Sequence, residues 1–339
     1  MKRIVVLGAG SWGTVLANVL ADNGHEVTIW ARKKEAISEI NQQHRNYAYL
    51  GDAALHPNLK ANASLEEAVS GKDVILLAVP SHAMRDMLVQ VKPYVHADAL
   101  IVHATKGFEQ ESWKRMSEVI AEELPNWHDR IVVLSGPSHA EEVIKRSPTT
   151  VVVASSCQHS AELAQTLFIN SYFRVYTNPD VVGVEIGGAL KNIIALATGL
   201  ADGLGYGDNA RAALMTRGLA EIARVGSAMG AEPITFVGLA GVGDLIGTCT
   251  SKHSRNWRAG YAISQGKSLA EVLSEMKMVV EGVKTTRAGH ALRERYQIEM
   301  PITEQLYAVL FKGKNPKLAV EDLMSRGKTR ELQEMAQGW

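Results

Sequence analysis

From Arg3 to Tyr176 short β-branched runs alternate with helical patterns, and after Thr177 the strands stop. This alternation restricts the fold more than any other feature of the chain. The strand candidates are Arg3–Leu7, Glu26–Trp30, Asp73–Val79, Ala99–His103, Ile131–Leu134, Thr149–Ala154 and Phe173–Tyr176. Amphipathic segments lie between them, such as Ser11–Asn23, stopped by Gly24, and Ser112–Glu123, stopped by Leu124-Pro125. Strands joined through helices make βαβ units, and so a mostly parallel sheet covered on both faces. Asn178-Pro179-Asp180 reads as a helix start, and helical periodicity runs from there to the end. The expectation is an α/β domain over residues 1–179 followed by an all-α domain over 180–339. The two meet near 178–182.

A chain of 339 residues is too long for one ordinary core, which agrees with two domains. Lysine plus arginine balance aspartate plus glutamate at 36 each, so no global charge attracts nucleic acid or an anionic membrane. Any anion it binds must be held by local groups. Two cysteines, Cys157 and Cys249, make neither a disulfide framework nor a zinc cluster, and they favour a reducing cytoplasm. The opening MKRIVVLGAG carries positive charge, but its apolar run ends at Gly8, too soon for a signal peptide. Residues 181–200 have roughly the length of a membrane span, yet they include Glu185, Lys191 and Asn192. A central Lys or Asp costs about 2.5–3.5 kcal/mol on insertion scales, so this stretch is expected to be a buried helix and not a span.

Leu7-Gly8-Ala9-Gly10-Ser11-Trp12-Gly13 places G-x-G-x-x-G between the first strand and the first helix. In such a loop the first glycine permits the tight turn, the second lets a pyrophosphate approach the backbone, and the third packs helix on strand. Those positions are Gly8, Gly10 and Gly13, and the free N–H groups of the following helix would face the phosphates. The alternative is a mere glycine-rich turn; its place at the first strand–helix junction favours cofactor binding and a Rossmann-type domain. An NAD site usually carries an acid at the end of the second strand. Trp30-Ala31-Arg32-Lys33-Lys34 offers cations there instead. Arg32 therefore suits the 2′-phosphate of NADPH, making NADPH the preferred cofactor with NADH possible; Lys33 and Lys34 read equally well as a solvated helix start.

Other strand ends carry compact polar groups: Val79-Pro80-Ser81, Ala104-Thr105-Lys106-Gly107 and Ser135-Gly136-Pro137-Ser138. Ligands of parallel α/β sheets bind outside the carboxyl ends of the strands, which favours a functional Lys106 over a surface lysine in a turn. In the helical half, the glycine-rich stretch from Gly238 to Thr250 presents one acid, Asp244, as a ligand group or as a helix cap. Ser254-Arg255-Asn256 is either an anion site at a helix start or an ordinary Ser cap with solvated neighbours. Cys249 reads as a small buried filler. Lys191 stands in the middle of EIGGALKNIIALATGL with no aspartate or glutamate between it and the end of the run. Desolvation would lower its pKa toward a range where it exchanges protons, and a nearby Asp244 would partly oppose the shift. A structural buried ion pair is the other reading, and composition does not choose between them. Gly187 and Gly188 beside it leave a smooth strip, as though a ligand must come close.

Over nearly its full length the chain resembles the bacterial NAD(P)-dependent sn-glycerol-3-phosphate dehydrogenases. The matching segments are GAGSWGT, VPS at 79–81, ATKG at 104–107, SGPSHAEE at 135–142, GGALKN at 187–192 and NARAALMTRGLAE at 209–221. GLAGVGDLIGTCTSKHSRN at 238–256, VVEGVKT at 279–285 and EMPIT at 299–303 complete the set. The resemblance implies cofactor contacts at Ser11, Trp12, Arg32, Lys106, Ala140, Arg255, Val279 and Glu281. It implies substrate positions at Lys106, Gly136, Ser138, Lys191, Asp244, Ser254, Arg255 and Asn256, with Lys191 as proton donor and acceptor. Residues 41–60 and the tail after Arg326 match nothing strongly and receive no role.

The activity so implied is reduction of dihydroxyacetone phosphate to sn-glycerol 3-phosphate, with hydride from NADPH and a proton from Lys191. The resemblance also implies a cytoplasmic homodimer at the head of phospholipid synthesis. Two other readings compete: a two-domain hydroxyacid dehydrogenase, which would need a carboxylate clamp, and a non-catalytic NADPH-binding redox sensor, which would not need Lys191, Asp244 and Arg255 together.

Overall fold

In a computed structural model, which describes residues 1–276, 279–328 and 330–331, the β-branched runs form one eight-stranded sheet. Its strands are β1 (Arg3–Leu7), β2 (Glu26–Trp30), β3 (Lys60–Asn62), β4 (Val74–Leu77), β5 (Leu100–His103), β6 (Ile131–Ser135), β7 (Thr149–Ala154) and β8 (Phe173–Asn178). They lie in the order β3-β2-β1-β4-β5-β6-β7-β8. Every neighbouring pair is parallel except β6 with β7, where Leu134 lies opposite Val153. Alternate residues feed two cores. Ile4, Val6, Val74, Leu76 and Val102 face one side with Val15, Leu16 and Val19 of the helix Ser11–Asp22. Val5, Leu7, Ile75, Leu77 and Ile101 face the other with Met84, Leu88 and Val119. Burial on both faces explains why β1, β4 and β5 read as continuous apolar runs without a polar alternation.

Strand β3 escapes the sequence reading because Lys60-Ala61-Asn62 has neither length nor branching; pairing with Thr28–Trp30 of β2 makes it a strand. The helix expected over 112–123 begins only at Met116. Glu111 and Trp113 take positive φ, which breaks the helical path. Arg115 then caps the start, its N–H donating to Glu118 Oε2 at 2.8 Å.

The chain divides into two compact units. Met1–Thr105 with Lys114–Val181 makes the sheet unit, and Lys106–Trp113 with the chain from Val182 makes the other. The excursion Lys106–Trp113 is an addition to a boundary near 178–182. It belongs to the second unit because Phe108 is buried in that unit's core and Trp113 packs against it. From Val181 on, the described residues form helices and turns with no strand. The central helix is Val181–Gly203, buried from Gly183 to Ala201. By length and composition it could cross a membrane, but 89% of its apolar window is enclosed by its own fold. The tail after Arg326, to which the sequence reading gave no role, lies largely outside the described residues.

A second motif pair is explained by packing. Glu221, at the end of NARAALMTRGLAE, accepts from Ile302 N at 2.5 Å and from Thr303 N and Oγ1 at 3.2 and 2.9 Å. A buried carboxylate so caps the helix Pro301–Lys312 within EMPIT, satisfying donors that have no partner inside the helix.

Candidate active site

The second unit brings together three charged side chains from separate segments. Lys191 lies midway along Val181–Gly203, with only 6% of its surface exposed. Asp244 is the first residue of the helix Asp244–Thr250 and is 2% exposed. Lys106 comes from the excursion anchored by Phe108. One carboxylate serves both ammoniums: Lys191 Nζ donates to Asp244 Oδ1 at 2.5 Å, and Lys106 Nζ donates to Oδ2 at 2.6 Å. Thr248, four residues beyond Asp244 and so on the same helical face, accepts a second bond from Lys191 at 2.5 Å. Its hydroxyl donates to the Asp244 backbone carbonyl at 2.6 Å. The sequence reading missed Thr248; the i, i+4 spacing in DLIGT was the available signal.

Burial pulls the Lys191 ammonium down to about 8, against the pull of Asp244 and with the help of the Lys106 charge. Burial would raise the Asp244 carboxyl, but Lys106 and Lys191 outweigh it and hold it below its ordinary value. The result is a fixed anion holding a lysine whose proton is mobile near neutral pH. Cys249 has no exposed surface, and burial pushes its thiol up to about 12, which fits a filler and not a nucleophile.

Gly187 does not open a path to the lysine. A Cβ there would lie 2.5 Å from the Ala240 carbonyl oxygen, so the glycine lets the helix press on the turn Leu239–Gly243 that delivers Asp244. At Gly187 the strip inferred from sequence is thus a packing surface between two segments of the same unit.

In the Ser254-Arg255-Asn256 cluster the helix-cap reading holds at Ser254, while Asn256 is buried and not solvated. Ser254 Oγ accepts from Trp257 N at 3.3 Å as an ordinary cap of the helix Arg255–Ser264. Asn256 is buried, with Nδ2 donating to Asn192 Oδ1 at 2.7 Å and Oδ1 accepting from Gly282 N at 2.8 Å. That ties the residue beside Lys191 to the residue beside Glu281. Arg255 is exposed, and its Nη1 donates to the Val279 carbonyl at 3.2 Å. Glu281 Oε2 is buried without a hydrogen-bond partner among the described residues, and burial pushes this carboxyl up against the pull of Lys284 and Arg255. Such an acceptor suits a ligand hydroxyl.

In the sheet unit the three glycines of the first turn have different causes. Gly8 has φ +123°, and a Cβ on it would lie 2.6 Å from the Ala78 carbonyl oxygen. A Cβ on Gly13 would overlap the Gly8 carbonyl. Gly10 has an ordinary φ of −76°, and nothing lies within 4 Å of where its Cβ would project. Neither backbone nor packing requires glycine there, so the constraint fits a group outside the chain, as a pyrophosphate would be. Ser11 begins the helix and Trp12 packs partly against the core. Arg32 is exposed two residues beyond β2, and Gly136, at φ +124°, follows β6. Ser138 Oγ donates to the Gly136 carbonyl at 3.0 Å, and Ala140 opens the short helix Ala140–Val143. Because β1, β2 and β6 run the same way, these groups all follow carboxyl ends of strands.

The sheet unit has the strand order and glycine turn of a Rossmann-type dinucleotide-binding fold, and the helical unit holds a lysine able to exchange protons. Those are the parts of a nicotinamide-dependent oxidoreductase. Residues 3–161 match the model of the NAD-dependent glycerol-3-phosphate dehydrogenase N-terminus, and residues 180–321 match that of the C-terminus. The chain belongs to the NAD-dependent glycerol-3-phosphate dehydrogenase family. It is 57% identical to the glycerol-3-phosphate dehydrogenase [NAD(P)+] of Bacillus subtilis over 99% of this chain and 97% of that one. A crystal structure of glycerol-3-phosphate dehydrogenase from Coxiella burnetii superposes with TM-score 0.91 at 40% identity, covering 96% of this chain and 99% of that one. The enzyme from Saccharomyces cerevisiae superposes with TM-score 0.83 at 29% identity, over 96% and 99%.

The shared carboxylate has a consequence for stability. Lys191 titrates lower in the folded protein, about 8, than its ordinary 10.5. Keeping its proton therefore costs stability below about pH 8, and the cost is relieved as pH rises from there toward 10.5. Asp244→Asn removes the compensating charge at nearly constant volume and is expected to cost about 3 kcal/mol at pH 7. Denaturant unfolding at pH 7 and pH 9 should show that difference shrinking at the higher pH.

Proposed function

We propose that this protein reduces dihydroxyacetone phosphate to sn-glycerol 3-phosphate, with NADPH preferred over NADH. The observation that carries the reading is the buried Asp244 carboxylate shared by Lys191 and Lys106. Membership of the glycerol-3-phosphate dehydrogenase family, and relatives that carry that name, support the same reading.

When bound, a nicotinamide cofactor would supply hydride to the substrate's carbonyl carbon. The chain's own residues do the rest. Lys191, held by Asp244 and Thr248, gives its proton to the oxygen that gains charge as the carbonyl is reduced. Lys106 and Lys191 stabilise that oxygen electrostatically before the proton moves, from a position fixed by folding. Asp244 stays ionised and keeps both ammoniums aimed. Arg255, anchored on the Val279 carbonyl, and Asn256, oriented by Asn192, hold the substrate phosphate together with Ser254. The family resemblance also gives Gly136 and Ser138 of the sheet unit as substrate positions. On the cofactor side Gly10, Ser11 and Trp12 would receive the pyrophosphate and Arg32 the 2′-phosphate, and the family resemblance gives Ala140, Lys106, Arg255, Val279 and Glu281 as further cofactor positions. Unpaired Cys157 and Cys249 support a cytoplasmic setting. The same family reading includes a homodimer and a role in supplying phospholipid synthesis.

Loss of NADPH absorbance on adding dihydroxyacetone phosphate, and none on adding 2-oxoacids, is the expected result; the reverse preference would replace this reading with a hydroxyacid dehydrogenase. Lys191→Ala should lower kcat by about 10²–10⁴-fold while still binding NADPH, and retained turnover would remove Lys191 as the acid. In the wild type, reduction should weaken above about pH 8 as Lys191 loses its proton, and the reverse oxidation should strengthen over the same range. Arg255→Ala should raise the KM for dihydroxyacetone phosphate by about ten- to hundredfold, as loss of one charge-assisted contact requires. For Arg32→Ala, kinetics with both nucleotides should show the preference for NADPH over NADH diminished; an unchanged ratio contradicts its pairing with the 2′-phosphate.

A further inference from the structure

Residues 41–60 carry no family motif in the sequence reading, yet they hold the glycine turn from behind. A π-turn over Glu39–Gln43 ends at His44, whose φ of +51° reverses the chain. The reversal is fastened at both ends: Tyr47 N donates to Glu39 Oε2 at 3.0 Å, and Leu55 N donates to the His44 carbonyl at 2.9 Å. It delivers Asn46, which has no exposed surface, against the first turn of the nucleotide fold. Both hydrogens of Asn46 Nδ2 are used, one on the Ala9 carbonyl at 3.0 Å and one on Thr14 Oγ1 at 2.9 Å. Oδ1 is buried without a partner among the described residues. Turning the amide over would set that oxygen against the Ala9 carbonyl, so the two donors fix its orientation. Leaving an acceptor unmatched costs stability, and an apolar side chain of the same shape would avoid the cost. The amide is therefore kept for its donors.

The Ala9 carbonyl is the opposite side of the Ala9–Gly10 peptide. Because that peptide is planar and trans, drawing its oxygen toward Asn46 turns the Gly10 N–H the other way. Gly10 is the glycine of the turn that neither its φ nor its packing requires. A second bond, Ser11 Oγ to the Tyr49 carbonyl at 3.3 Å, ties the next residue of the turn to the same segment.

We propose that Asn46 is a positioning residue for the dinucleotide pyrophosphate: by holding the Ala9 carbonyl and the Thr14 hydroxyl it presets the Gly10 amide toward the phosphates. The proposal rests on the cofactor reading above, but not on the identity of the substrate. It is tested by titrating NADPH, followed by its own fluorescence, into the wild type, Asn46→Asp and Asn46→Ala with no substrate present. Asn46→Asp replaces donors with acceptors, and Asn46→Ala removes them without adding charge. Both should weaken NADPH binding by about tenfold or more, as loss of two buried hydrogen bonds implies. At saturating NADPH, kcat and the KM for dihydroxyacetone phosphate should stay within about twofold of wild type. If neither variant folds, Thr14→Val, which keeps shape and removes one acceptor, should weaken NADPH by about threefold or more. Wild-type affinity for NADPH in the folded variants, whatever their melting temperatures, would overturn the proposal and leave Asn46 a structural residue. Failure of the wild type to turn over dihydroxyacetone phosphate would sink the substrate assignment, while the NADPH titration would still judge Asn46.

Discussion

The helical unit is organised around one carboxylate that must satisfy two ammoniums. Asp244 is nearly inaccessible to water, and an unpaired charge so placed would cost several kcal/mol. Each of its oxygens takes one lysine, Oδ1 from the central helix and Oδ2 from the excursion at Lys106. The two interactions differ in environment. The Lys106 side chain retains 22% exposure and is screened by solvent, whereas the Lys191 side chain retains 7%. Burial therefore weighs more on the proton of Lys191, and Asp244 keeps that proton from being lost altogether. A group that must give and recover a proton near neutral pH needs this balance between desolvation and attraction.

Local packing maintains the balance. Gly187 allows the central helix to meet the Ala240 carbonyl, which fixes the turn that presents Asp244. Thr248 repeats one helical turn after Asp244 and gives Lys191 a second acceptor. Asn192, next in sequence to Lys191, holds Asn256, and Asn256 in turn takes the Gly282 amide. A shift of the central helix would then move the lysine and the predicted phosphate-binding cluster together. In the sheet unit the corresponding task falls to the turn at Gly8–Gly13 and to Asn46 behind it.

Much of this was legible in sequence where one physical cause dominates. Strands β1, β2 and β7 have the bounds that their β-branched runs indicate, and in β1 and β7 burial on both faces leaves no other use for such runs. Lys191 and Asp244 stood out as charges in apolar or glycine-rich settings and Lys106 as a cation beyond the carboxyl end of a strand, and the structure brings all three together. The failures have causes of their own. Strand β3 is defined by its partner and not by its residues, and the helix at Met116 starts late because two preceding residues take positive φ. Gly187 was misread because a glycine that admits a ligand and one that admits a neighbouring backbone look alike in sequence. Asn46 was invisible because its contacts, Ala9 and Thr14, lie 37 and 32 positions away.

The central claim is that burial, opposed by Asp244, sets the proton affinity of Lys191. It is tested most directly by following the Lys191 side-chain carbon signals with pH by NMR in the nucleotide-free protein, assigned against Lys191→Arg. The account predicts a titration midpoint of about 8. A midpoint at the ordinary lysine value of 10.5 would contradict it.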